Sequence, residues 1–88
     1  MPVVKLYANL RAITGSKEHN IPGESIREIL GILIREYPAL QAFLFDKERL
    51  RPRVLLTLNG QTLDIETCLE TPVAGQDQIA IFPPVAGG

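Results

Sequence analysis

The residues best suited to chemistry in this 88-residue sequence are the last six, Pro83-Pro84-Val85-Ala86-Gly87-Gly88. As the final residue, Gly88 would carry an α-carboxylate with a reference pKa of about 3.5, ionised at neutral pH and therefore a poor acyl electrophile. Such a group reacts only once something else has activated it. Gly87 and Gly88 have no Cβ to strike a channel wall and can take backbone angles closed to other residues, which suits passage into a narrow site. Pro83 and Pro84 fix φ and favour an extended arm, at roughly 3.1 Å per residue in the polyproline conformation. Chain ends are often small residues with no task. Here the glycines follow the apolar run Ile79-Ala80-Ile81-Phe82 with no polar linker between, which favours a working terminus.

The rest of the inventory is thin. Cys68 is the only cysteine, so it has no partner for a disulfide or a thiol pair, and it reads as a small, partly buried apolar residue. His19, the only histidine, has no ligand cluster at metal spacing and reads as a surface strand residue; no metal site is expected. Nine Lys and Arg against ten Asp and Glu give a net charge of -1, with no basic run interleaved with aromatics, so nucleic acid is not an expected partner. Met1 to Lys5 lacks the pattern of a signal peptide, and no apolar stretch approaches the ~18 residues of a spanning helix; no membrane association and a cytoplasmic location are expected. A chain this short buries too little surface for a deep water-free active site of its own, so its chemistry is expected to be shared with other proteins.

The elements that must position the tail follow from periodicity. Val3 to Ala8 reads as a strand with Val4, Leu6 and Ala8 toward the core and Val3, Lys5 and Tyr7 away from it. Asn9 to Ser16 holds the apolar pair Leu10 and Ile13 and then turn chemistry, and Lys17 to Ile21 returns as a second strand. After Pro22-Gly23, Ser25 and Glu28 have the spacing of a capping box, and Ile26, Ile29, Leu30, Leu33, Ile34 and Tyr37 form one helical stripe closed by Pro38. Ile32 lies off that stripe. Ala39 to Arg53 reads as an excursion, in which Leu40, Phe43, Leu44 and Phe45 can make a short helical turn before the charged stretch Asp46-Lys47-Glu48-Arg49. Val54 to Leu58 and Gln61 to Asp64 flank Asn59-Gly60, the pair most able to supply a type I′ hairpin. Ile65 to Pro72 reads as loop with Leu69 anchored inward, and Gly75-Gln76-Asp77 turns the chain into a last strand, Gln78 to Phe82.

A helix crossing between two hairpin-like halves allows the first and last strands to lie parallel in the middle of a mixed sheet. That is an α+β fold of β-grasp, ubiquitin-like type, expected as one domain over 1–82 with a carrier tail at 83–88. One helix shields one sheet face. Alternation then places Tyr7, Leu55 and Phe82 on the other, as an apolar contact patch beside the root of the tail.

The tail and last strand, with Asn59-Gly60, Gly75-Gln76-Asp77 and the early Ala8-Asn9-Leu10-Arg11, resemble the small subunit of molybdopterin synthase, the MoaD group of MoaD/ThiS-type β-grasp sulfur carriers. The likeness spans the chain in order of elements, and the tail with its strand is the specific part; Ala12 stands where the family often has Glu. The resemblance implies that Gly88 is adenylated by a ubiquitin-activating-type adenylyltransferase using ATP, converted to a thiocarboxylate with sulfur from a donor protein, and inserted with Gly87 into the large subunit of the synthase. There sulfur passes to the pterin precursor of the molybdenum or tungsten cofactor. It also implies partner contacts at Tyr7, Arg11, Leu55, Phe82, Pro83 and Pro84, with no cofactor held permanently and no catalysis by the chain alone. Two alternatives share the fold and the ending: a ubiquitin-like modifier joined through Gly88 to lysines, and a carrier for tRNA thiolation. A plain interaction domain ranks last.

Overall fold

The computed structural model describes residues 1–83. Its first strand, β1 (Val3–Leu6), buries Val4 and Leu6 while Val3 and Lys5 stay half-exposed, as alternation requires. The strand is shorter than the pattern suggests. Tyr7 is still extended, but Ala8 turns to φ 52, is exposed rather than on the core side, and opens helix α1 (Ala8–Thr14). The segment expected to be turn is therefore helical. Leu10 and Ile13 sit one turn apart on its inner side, and the Thr14-Gly15-Ser16 signal is its end: Gly15, at φ 81, donates its N–H to the Arg11 carbonyl at 2.9 Å.

Strand β2 (Glu18–Asn20) pairs antiparallel with β1, and helix α2 (Ile26–Glu36) follows. Ser25 caps α2 by accepting the Glu28 N–H at 3.2 Å. Glu28 reaches back to the N–H of Glu24, at 3.0 Å, and not to that of Ser25, so the box is shifted by one residue. Ile26, Ile29, Leu30 and Leu33 are buried, while Ile32 and Ile34 are half-buried at the margins. Tyr37 ends the helix before Pro38.

The excursion is more ordered than its sequence suggests. It holds helix α3 (Leu40–Leu44), with Leu40 and Leu44 fully buried, and a short antiparallel ribbon of β3 (Phe45–Asp46) and β4 (Arg49–Leu50), turned by Lys47 at φ 61. Strands β5 (Leu55–Leu58) and β6 (Gln61–Thr62) form the expected hairpin. Asn59 and Gly60 take φ 51 and 85, the positive pair a type I′ turn needs. A 3₁₀ turn at Cys68–Glu70 then points Cys68 inward; Leu69 is only half-buried against the core. Strand β7 (Gln78–Phe82) spans the residues expected of it.

The sheet order is β2-β1-β7-β5-β6, with β1 and β7 parallel and the other pairs antiparallel. Val4, Leu6, Leu56, Ile79 and Ile81 face α2 and form, with its apolar stripe and Leu10, Leu40 and Leu44, one buried cluster. Each such side chain stabilises the fold by about 1.5–3 kcal/mol on full burial. This is the β-grasp arrangement. Among the described residues no helix is long and apolar enough to cross a membrane.

Candidate functional site: the open sheet face at the end of the last strand

The face away from α2 is set by register. Lys5 stands opposite Ala80 and Leu6 opposite Ile81 across the parallel β1–β7 pair, and Leu55 stands opposite Phe82 across the antiparallel β5–β7 pair. Because Leu6, Ile81 and Leu56 point into the core, Tyr7, Phe82 and Leu55 point out. The expected grouping of these three residues is what the geometry gives. The Tyr7 and Phe82 rings stack with centroids 4.5 Å apart and planes 11° from parallel, and Leu55, 41% exposed, lies beside them. Lys5, Tyr7, Thr57, Ala80 and Phe82 line a shallow hollow of about 340 Å³ that continues to Gly60 and Gln78.

Two devices hold this surface. The ammonium of Lys17, in the turn between α1 and β2, lies 5.1 Å from the Tyr7 ring centroid, a cation–π contact. The Lys17 carbonyl also accepts the Leu6 N–H at 2.7 Å, fixing the turn against β1 just before Tyr7. At the other end of β7, Asn59 donates through Nδ2 to Asp77 Oδ1 at 2.9 Å and accepts the Gln78 N–H at 2.9 Å. Asp77 Oδ2 accepts the Ala74 N–H at 2.8 Å. The bond from Ala74 first, and that from Asn59 second, hold the Asp77 carboxyl below the usual carboxylate range. This clamp joins the β5–β6 hairpin to the start of β7 and so sets the register that delivers Phe82.

Of the other expected site residues, Arg11 is exposed on α1, and its carbonyl serves the helix C-cap. Pro83 is half-buried directly after β7. Pro84, Gly87 and Gly88 lie outside the described residues. His19 is not a free surface group: its Nε2 is 3.0 Å from Thr14 Oγ1 and 3.1 Å from the Ser16 carbonyl, and its ring meets Tyr37 edge-on. Register explains this, because His19 pairs with Val4 and so faces the helix side. Cys68 is 1% exposed, and burial, the largest cause, raises its thiol pKa; its Sγ lies 3.7 Å from the Ile65 carbonyl. A thiol held protonated in that way is a weak nucleophile.

Lys17 was the residue that sequence reasoning missed. It has no periodic position, and only the fold of the α1–β2 turn brings it over Tyr7. Alternation had already placed Lys5 on Tyr7's side. Among the described residues the face offers apolar contact and cations, with no nucleophile beside a base.

Comparison with known proteins agrees with this geometry. The ThiS family matches residues 4–88. Small archaeal modifier protein 1 of Haloferax volcanii is 31% identical over 88 residues, covering 96% of this chain and 97% of that protein. The solution structure of small archaeal modifier protein 1 from Methanosarcina acetivorans superposes with a TM-score of 0.87 at 35% identity, over 99% of this chain and 95% of that one. A chain of the Amycolatopsis orientalis BexX/CysO complex does so with a TM-score of 0.87 at 27% identity, over 100% of both. With a match running from the first strand through the terminal glycines, the chain belongs to the ThiS family of MoaD/ThiS-type β-grasp sulfur carriers.

Proposed function

We propose that this chain is a sulfur carrier that acts as the small subunit of molybdopterin synthase, with Gly88 as the residue that carries the sulfur. The observation that carries the reading is the stacked Tyr7–Phe82 pair at the end of β7, one residue before Pro83. It gives a partner an apolar handle directly before Pro83, while no described residue there supplies a reacting side chain. The Gly88 carboxylate attacks the α-phosphorus of ATP held by a ubiquitin-activating-type adenylyltransferase, forming the acyl adenylate and releasing pyrophosphate. Hydrosulfide supplied by a donor protein then attacks the acyl carbon, AMP leaves and the S–H proton is lost, which yields the thiocarboxylate. In the large synthase subunit that sulfur passes to the pterin precursor, and water takes its place on the Gly88 acyl carbon, so the C–S bond breaks and the carboxylate is regenerated. Tyr7, Leu55, Phe82, Pro83 and Pro84, with Arg11 at the margin, form the docking surface, and Gly87 and Gly88 enter the partner's channel.

A second reading is favoured by the names of the relatives at 31% and 35% identity, both called modifier proteins. In it a lysine amine attacks the activated Gly88 carbonyl, AMP leaves, and an isopeptide bond forms. The two readings share the activation step and part at the acceptor.

Intact-protein mass spectrometry after incubation with the adenylyltransferase, ATP and a sulfur donor separates them from an inert domain. The expected result is the mass increase of one oxygen-to-sulfur exchange, abolished when one residue is added after Gly88. Copurification with the large synthase subunit supports the first reading; Gly88-linked lysine peptides without that subunit support the second. An unchanged mass under conditions that activate a known ThiS-family carrier overturns both.

A further inference from the structure

The strand registers place Val3, Lys5, Glu18, Asn20, Thr57, Thr62, Gln78 and Ala80 on the open side with Tyr7, Leu55 and Phe82. Two of these are charged. Glu18 is on the edge strand and meets Lys5 only loosely, at 3.9 Å, while Lys5 lies one strand further in, lining the hollow itself. Lys17 adds a second ammonium, over the Tyr7 ring. Among the described residues the face therefore carries two lysine ammoniums next to its apolar centre, with Arg11 at its margin and one anion, Glu18, at its rim, in a molecule whose net charge is -1. The third lysine, Lys47, is at the tip of the β3–β4 ribbon, outside the five-stranded sheet.

We infer that the adenylyltransferase surface seated on Tyr7, Leu55 and Phe82 presents carboxylates opposite Lys5 and Lys17 around an apolar socket, and that these two lysines steer the encounter. The inference rests on the reading of this face as the docking surface. Its physical basis is that rim charges beside an apolar core act mainly on the association rate and its salt dependence, whereas the desolvated aromatic pair governs how long the complex lasts. Lys17 has a second part in the site, because the same ammonium that faces the partner holds the Tyr7 ring.

The test measures association and dissociation rates of the full chain with the ubiquitin-activating-type adenylyltransferase of the same organism, at low and high sodium chloride. Lys5→Gln and Lys17→Gln are each expected to slow association roughly two- to fivefold at low salt. At high salt they should converge on the unsubstituted chain, as screening removes the steering. Lys17→Arg should restore the rate, and Lys47→Gln, an equal loss of charge elsewhere, should leave it unchanged. The inference is overturned if Lys47→Gln matches Lys17→Gln, if association does not depend on salt, or if the Lys17→Gln deficit persists at high salt, which would mark a packing role. Phe82→Asp keeps the outcomes apart. If it abolishes binding while the lysine variants behave like the unsubstituted chain, only the charge inference fails. If it leaves affinity unaltered, the docking surface itself is wrong.

Discussion

Tyr7 and Phe82 lie ring on ring because two strands from opposite ends of the chain run parallel in register, Leu6 beside Ile81, so that the next residue on each points outward to the same spot. Stacked pairs of this kind contribute about 0.5–1.5 kcal/mol beyond area burial. A double-mutant cycle with Tyr7→Ala and Phe82→Ala, followed by denaturant unfolding, should return a coupling in that range. Strict additivity would mean that the contact adds nothing to stability.

Neighbouring positions on β7 should respond in opposite ways to the same substitution. Ile81 is fully buried, so Ile81→Asp places a charge in the core and should prevent folding. Phe82→Asp leaves its charge in water and should give a folded domain that no longer binds its partners. Circular dichroism with a pull-down on both variants checks the contrast. A folded Ile81→Asp protein would contradict the assigned faces of β7.

Acid should loosen the clamp at Asp77. Its carboxyl is held below the ordinary range by the Ala74 N–H and then by Asn59, so on acidification the unfolded chain takes up the proton first. The stabilisation is complete above the unfolded value and is lost as pH falls through the folded one, from about pH 4 downward. Thermal melts across that range should show a shallower acid limb in Asp77→Asn than in the unsubstituted chain. Parallel limbs would mean that the carboxylate is not the group responsible.

Cys68 sits in the core with a thiol that burial keeps protonated. Cys68→Ala should lower stability by about 1 kcal/mol, the usual scale for a small core change, and leave sulfur loading at the C-terminus intact. A folded variant that could not be loaded would move the chemistry from Gly88 to this thiol.

Helix α2 depends on the residue that caps its N-terminus. Removing the Ser25 hydroxyl leaves the Glu28 N–H without its 3.2 Å acceptor, so Ser25→Ala should cost about 1 kcal/mol in denaturant unfolding. Ser25→Asp, which keeps an acceptor and adds charge at the helix N-terminus, should recover most of it.

Much of this architecture was legible where a local rule and the final packing agree. Ser25 before the Ile26 stripe marks α2, Asn59-Gly60 marks the hairpin, and alternation from Gln78 to Phe82 gives both the core and the contact side of β7. Where the elements are short, pattern fails. Helix α1 spans seven residues with a single apolar pair, so no helical period can emerge, and its Gly15 end cap looks the same as a loop signal. Strands β3 and β4 have two residues each and turn on Lys47, a residue type with no bias toward positive φ. Nothing in the sequence near Lys17 points to Tyr7; their meeting depends on how a turn folds across the end of a strand.

The position of β7 between β1 and β5 also bears on the order of events during synthesis. The sheet lacks its central member until residue 82 has emerged from the ribosome, because neither hairpin can stand in for a strand that touches both. Non-local pairing of this kind is late in folding, and β1 waits until residues 78–82 have been made. The docking face therefore forms only once residues 78–82 are there to pair, and a truncated product lacking them should present no docking face at all.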